Sequence, residues 1–113
     1  MKNSFYTLFL ASISIMVPTT VVAQQHNIQP VRLAVAGTTH GHVSWILNKK
    51  DSSKMVLTGI YEPDKELVKK HMHQFKLPAS LFYDNLEKML DELKPEAVVA
   101  FGSIFEHLSV VEA

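Results

Sequence analysis

Two places in this chain carry residue types that suit ligand chemistry. The first is Gly37-Thr38-Thr39-His40-Gly41-His42, set between an apolar run and an apolar stripe. A glycine turn at such a junction frees backbone N–H groups at the positive end of a helix dipole, which favours a phosphate. The dinucleotide fingerprint asks for glycine at relative positions 1, 3 and 6. Gly37 meets the first, Thr39 and His42 occupy the other two, and Gly41 falls one place early. Thr38 and Thr39 add hydroxyl donors. By spacing alone, an ordinary βα turn and a phosphate cradle both fit. The second place is Glu62, at the end of the next apolar run, roughly 25 residues after Gly37. A carboxylate there accepts both hydroxyls of an adenosine ribose and repels a 2′-phosphate, so it favours NAD over NADP. A solvated glutamate at a strand end has the same sequence signature. Two His-x-His pairs, His40/His42 and His71/His73, suggest a metal. Residues two apart on a helix do not share a face, however, and the chain has no cysteine, so no metal site is expected.

These residues need elements to hold them. Residues 31–36 form a short apolar run rich in β-branched side chains, which suits a strand buried on both faces of a parallel sheet. Val43, Ile46 and Leu47 make a helical stripe, with Trp45 expected to pack in the same helix. Residues 55–61 are a second strand, closed by Glu62-Pro63-Asp64. Leu67, Val68, His71, Met72 and Phe75 then follow at helical spacing, with Asp64 placed to cap them. Leu81-Phe82-Tyr83 reads as a short extended piece. Asp84 and Glu87 have the spacing of a capping box ahead of Leu86, Met89, Leu90 and Leu93. Lys94-Pro95 ends that helix, with Lys94 as a cation at its C-terminus. Residues 97–101 are a third buried strand, and residues 103–113 begin another helix.

The order β-α-β-α-β predicts an α/β fold, the first half of a doubly wound parallel sheet. Ligands of such sheets bind at the carboxyl ends of the strands, beside the reversal in strand order. That rule gathers three loops, residues 37–42, 62–64 and 102–107.

Composition narrows the function classes. The 113 residues carry 11 basic and 11 acidic side chains, so no basic footprint for nucleic acid is present. Without cysteine there is no disulfide framework, thiolate metal site or thiol nucleophile. Residues 1–23 have the layout of a secretory signal peptide: Lys2, an apolar stretch over residues 5–17, the break at Pro18, and Val21 and Ala23 before a cut at Gln24. The apolar stretch is shorter than the roughly 20 residues of a membrane span. The expectation is therefore export, to a periplasm or beyond the cell, with no membrane attachment after cleavage. Residues 24–30 form a polar tether, and residues 31–113 form the partial nucleotide-binding domain.

Three segments together resemble the glucose–fructose oxidoreductase/inositol dehydrogenase/MocA family: residues 31–43, Thr58-Gly59-Ile60-Tyr61-Glu62-Pro63-Asp64, and Glu96-Ala97-Val98-Val99-Ala100 with His107 downstream. The resemblance runs over residues 31–113 and implies an N-terminal Rossmann domain that binds NAD or NADP. It implies that Gly37, Thr39 and Gly41, within a loop that also holds Thr38, His40 and His42, lie against the pyrophosphate. It further implies that Glu62 holds the adenosine ribose, that Gly102 and Ser103 pass near the cofactor, and that His107 begins the next helix. The chain departs from the family at Thr39 and His42, which replace glycines, at Gly102-Ser103, where many relatives carry Thr-Pro, and at Ile104, where many carry Asn. Relatives continue into a Glu-Lys-Pro segment with a catalytic lysine and into a substrate domain. Neither falls within these residues, and Leu93-Lys94-Pro95 precedes the third strand, at the wrong end of the sheet. The implied function is the cofactor-binding part of an exported oxidoreductase acting on a sugar or polyol, with no catalytic residue of its own and a possible homo-oligomer at full length. A fragment of an NAD-dependent, redox-neutral glycosidase and a non-catalytic remnant are the alternatives.

Overall fold

The computed structural model describes residues 29–113. The expected signal peptide and most of the tether lie outside the described residues. Four parallel strands form one sheet: β1 (Val31–Ala36), β2 (Met55–Tyr61), β3 (Phe82–Tyr83) and β4 (Ala97–Ala100), in the order β3-β2-β1-β4. The helices are α1 (Ser44–Leu47), α2 (Lys65–Phe75), α3 (Leu86–Leu93) and α4 (His107–Glu112). Short 3-10 turns at Gly41–Val43 and Ile104–Glu106 lead into α1 and α4. The α/β architecture with an all-parallel sheet agrees with the sequence reading, with one strand more than expected.

That extra strand is the short extended piece expected at Leu81-Phe82-Tyr83, shortened by one residue. Leu81 closes a 3-10 turn, and Phe82 and Tyr83 pair with Ile60 and Tyr61 at the β2 edge. Two residues make no periodicity, so only the neighbouring strand could define them. The capping box expected at Asp84 and Glu87 does not form. Asn85 takes the cap, its side-chain oxygen accepting from the Lys88 N–H at 2.8 Å, and α3 starts one residue later than that spacing implied. Asp84 is thereby left free and exposed at the tip of β3. The box forms elsewhere, at Ser103 and Glu106, ahead of α4.

Packing follows from the alternation of side chains along each strand. Val35, Leu57 and Ile60 form one buried cluster with Val43, Leu47 and Leu77. The opposite face of β2 has Gly59, over which Leu93 and Met89 of α3 lie so closely that a Cβ there would collide with the leucine. A register shift between Leu33 and Ala34 sets Thr58 out of step, and its hydroxyl donates to the Leu33 carbonyl at 3.0 Å. Asp64 caps α2 as expected, accepting from the N–H groups of Glu66 and Leu67. Trp45, expected to pack, is 66% exposed. Its ring stacks on His42 with centroids 4.3 Å apart, because Val43 and Leu47 already fill the core side of α1. Phe105 also stays exposed, with Ile104, Leu108 and Val111 beside it.

Candidate functional site at the carboxyl tips of the sheet

Chain connection explains where a crevice must open. From β1 the chain moves to β2 and β3 on one side, then crosses to β4 on the other. The loops after β1 and β4 leave in opposite directions, and the gap between them is the usual ligand position in such sheets.

Two glycines meet there. Gly37 has a φ of +77°, and its N–H donates to the Tyr61 carbonyl at 2.8 Å. A Cβ at Gly37 would lie 2.8 Å from the backbone N and Cα of Gly102. The first loop is then stitched to β4. The Phe101 N–H donates to Ala36, the His40 N–H donates back to Phe101 at 2.8 Å, and the Thr39 hydroxyl reaches the same Phe101 carbonyl at 3.3 Å. Gly37, Thr39, His40, His42, Gly102, Ser103 and His107 line the cavities at these strand ends. Gly41 and Thr38 face α2 instead.

Glu62 stands at the tip of β2, but its carboxylate turns inward. It is 4% exposed. Oε2 accepts from both the N–H and the hydroxyl of Thr38, and Oε1 accepts from the Asp64 N–H at 2.9 Å. A carboxylate offers about four acceptor positions, and three are used. The group expected from sequence to receive two ribose hydroxyls is engaged in tying the first loop to the second.

Two cavities flank the glycine contact, and they differ in chemistry. One, of about 330 Å³, is lined by Gly37, Tyr61, Asp84, Asn85, Glu87, Gly102 and Glu106 among others. The other, of about 530 Å³, is lined by Thr39, His40, His42, Gly102, Ser103 and His107 with Phe101 and Ile104. Carboxylates populate the first and imidazoles the second. Glu106 accepts from the Ser103 hydroxyl and N–H, and these bonds hold its carboxyl below the ordinary range. Sequence spacing marks Asp84 and Glu87 as a cap and so hides two of the three acids of this wall. The signal that points to Asp84 is its place directly after the extended Phe82-Tyr83 pair, at a strand tip.

Behind the first loop lies His71 of α2, 5% exposed and stacked on Phe75. Burial pushes its imidazole below the ordinary value of 6.5; the Thr38 backbone and Glu62 oppose that shift, and Lys70 reinforces it. The sign of the linkage follows. The unfolded chain takes up this proton before the folded chain does, so the stability associated with neutral His71 is complete above about pH 6.5. It falls as the pH drops through 6.5 toward the lowered folded value. Denaturation midpoints measured from pH 8 to pH 5 should decline over that window, and in His71→Phe the decline should shrink.

Among the described residues, no cluster of three or more His, Asp or Glu is placed to hold a metal, and no helix is long and apolar enough to cross a membrane. No protein-family model, curated protein or solved structure matches the chain.

Proposed function

We propose that the chain is the dinucleotide-binding domain of an exported oxidoreductase acting on a sugar or polyol, with NAD as the preferred cofactor. The observation that carries this reading is the bare backbone contact of Gly37 with Gly102 at the strand reversal, flanked by cavities of opposite chemistry. Phosphate groups disfavour the acidic wall, so the pyrophosphate belongs on the side of Thr39, Ser103 and the histidines. Ribose hydroxyls are donors and suit a free carboxylate. Asp84 supplies one at the β3 tip, whereas Glu62 at the β2 tip is already occupied by Thr38 and Asp64. A 2′-phosphate beside Asp84 would be repelled, which keeps the preference for NAD over NADP although a different acid provides it. The residues of this chain bind and orient the cofactor. None of them is assigned to proton transfer from the alcohol.

The test is a titration of the full chain with NADH and NADPH, followed by nicotinamide fluorescence. NADH should bind more tightly. Asp84→Asn should weaken NADH about tenfold or more, the cost of a hydrogen bond to a charged group, and narrow the gap to NADPH. Absence of binding by either dinucleotide would reject the reading. Export is tested separately: the protein recovered outside the cytoplasm should begin at Gln24.

A further inference from the structure

The first loop has a second face, turned toward α2. There Thr38, Thr39 and Ser44 meet Lys70, His71 and Gln74 around a partly open cavity of about 240 Å³. His71 is the unusual member. It is buried, and among the described residues neither Nδ1 nor Nε2 completes a hydrogen bond of good geometry, although the Thr38 backbone lies close enough to act on the ring. A neutral imidazole presents one donor and one acceptor, and leaving both unpaired in an interior is costly. Native proteins satisfy such groups with a bound water or a bound ligand. The charge around the cavity selects between ligands. Lys70 brings a positive charge to its lining, and no carboxylate lines it. Glu62, the acid near His71, is committed to Thr38 and Asp64. The Thr39 and Ser44 hydroxyls donate to the carbonyls of Phe101 and Gly41, so the Gln74 amide is the remaining neutral donor of the lining.

We propose that this cavity binds a small oxyanion of the phosphate kind, with His71 as the buried hydrogen-bond donor and Lys70 as the counter-charge. An oxyanion needs donors, and the imidazole offers two once it takes up a second proton. Binding and protonation therefore favour each other, by the reciprocity that governs any coupled pair. Lys70 opposes the added charge and Glu62 assists it, while the Thr38 backbone lies against the ring. Affinity should rise as the pH falls through the imidazole range. The site requires none of Gly102, Ser103 or His107, and of its lining only Thr39 also borders the histidine cavity of the crevice, so His71 and Lys70 stay available whether or not a dinucleotide is bound.

Inorganic phosphate is the probe. The full chain, labelled with nitrogen-15 at histidine, is titrated with sodium phosphate at pH 6 and pH 8 at fixed ionic strength, with sodium chloride as the control. The ring resonances missing from His71→Gln identify His71. Where that variant does not fold, the assignment comes from replacing the other histidines. Phosphate, but not chloride, should shift the His71 resonances saturably, more tightly at pH 6, and should raise its midpoint of titration. Lys70→Met should weaken phosphate about tenfold or more, the loss of a charge-assisted contact. Excess NADH should leave the His71 shift in place. His71 resonances that do not move, or that move equally with chloride, mean water alone fills the cavity and overturn the proposal. So does a phosphate response confined to His40, His42 and His107, or an unchanged affinity in Lys70→Met.

Discussion

Replacing Glu62 with alanine is expected to destabilise the domain by about 3–5 kcal/mol, because it strands two buried donors and a part-buried one at once. The Thr38 N–H, the Thr38 hydroxyl and the Asp64 N–H all lose their acceptor. Thr38 is 3% exposed, so water replaces the carboxylate poorly there. Each unsatisfied group costs about 1–3 kcal/mol, and the sum is a large share of the 5–15 kcal/mol typical of a domain. Glu62→Gln keeps the shape and one carbonyl oxygen. Its amide then faces either Thr38 or Asp64 donor to donor, so a smaller loss of about 2 kcal/mol is expected. Urea denaturation reads both values from the midpoint at constant slope. A Glu62→Ala protein with the wild-type midpoint and a lost preference for NAD over NADP would put the carboxylate on a ribose after all.

The second large effect is expected at Gly37. Gly37→Ala should cost about 2–4 kcal/mol, from an L-residue held in the left-handed region and a methyl driven against backbone. The φ is +77°, and the colliding atoms are the N and Cα of Gly102, which cannot rotate aside. Gly102→Ala is the informative comparison. Its new methyl meets the end of the Glu106 side chain at 2.7 Å, which can swing away at the expense of the Ser103 cap. That variant should lose about 1 kcal/mol, the usual worth of a cap. Denaturation midpoints of the two variants should therefore differ in that order. Equal losses would mean that the strand tips separate easily, and the close approach of the two loops would not be a fixed property of the crevice.

Some of this molecule was legible residue by residue. The apolar runs at 31–36, 55–61 and 97–101 are legible as strands, but the expectation that 97–101 is buried fails: β4 is the sheet edge among the described residues, with no strand beside it to cover Val98, which is 39% exposed. His71 fell on the apolar stripe of its helix and is buried, and His73 fell off it and is exposed. Helix endings were legible only where proline marked them. Lys94 precedes Pro95 and was recognised, whereas Lys76 ends α2 in the same left-handed conformation without the glycine that usually signals it. Trp45 was misjudged because an apolar side chain next to a helical stripe is taken for core, and a one-turn helix has room for only two core positions.

The site divides along the same line. Local pattern sufficed to locate Gly37, Glu62 and the loop after β4, because strand ends and turns are written in short runs of neighbouring residues. Which way the Glu62 carboxylate points was not written there. It depends on Thr38, 24 residues away in the chain, arriving within hydrogen-bond distance. The contact of Gly37 with Gly102 and the burial of the His71 ring likewise arise from residues far apart in sequence, whereas the carboxylate of Asp84 is left free by a local choice, the cap being taken by Asn85. Periodicity reports which face of an element is apolar, and it carries no information on what that face meets. Only the packed sheet, with its strand order fixed, decides which polar groups satisfy one another and which are left over for a ligand.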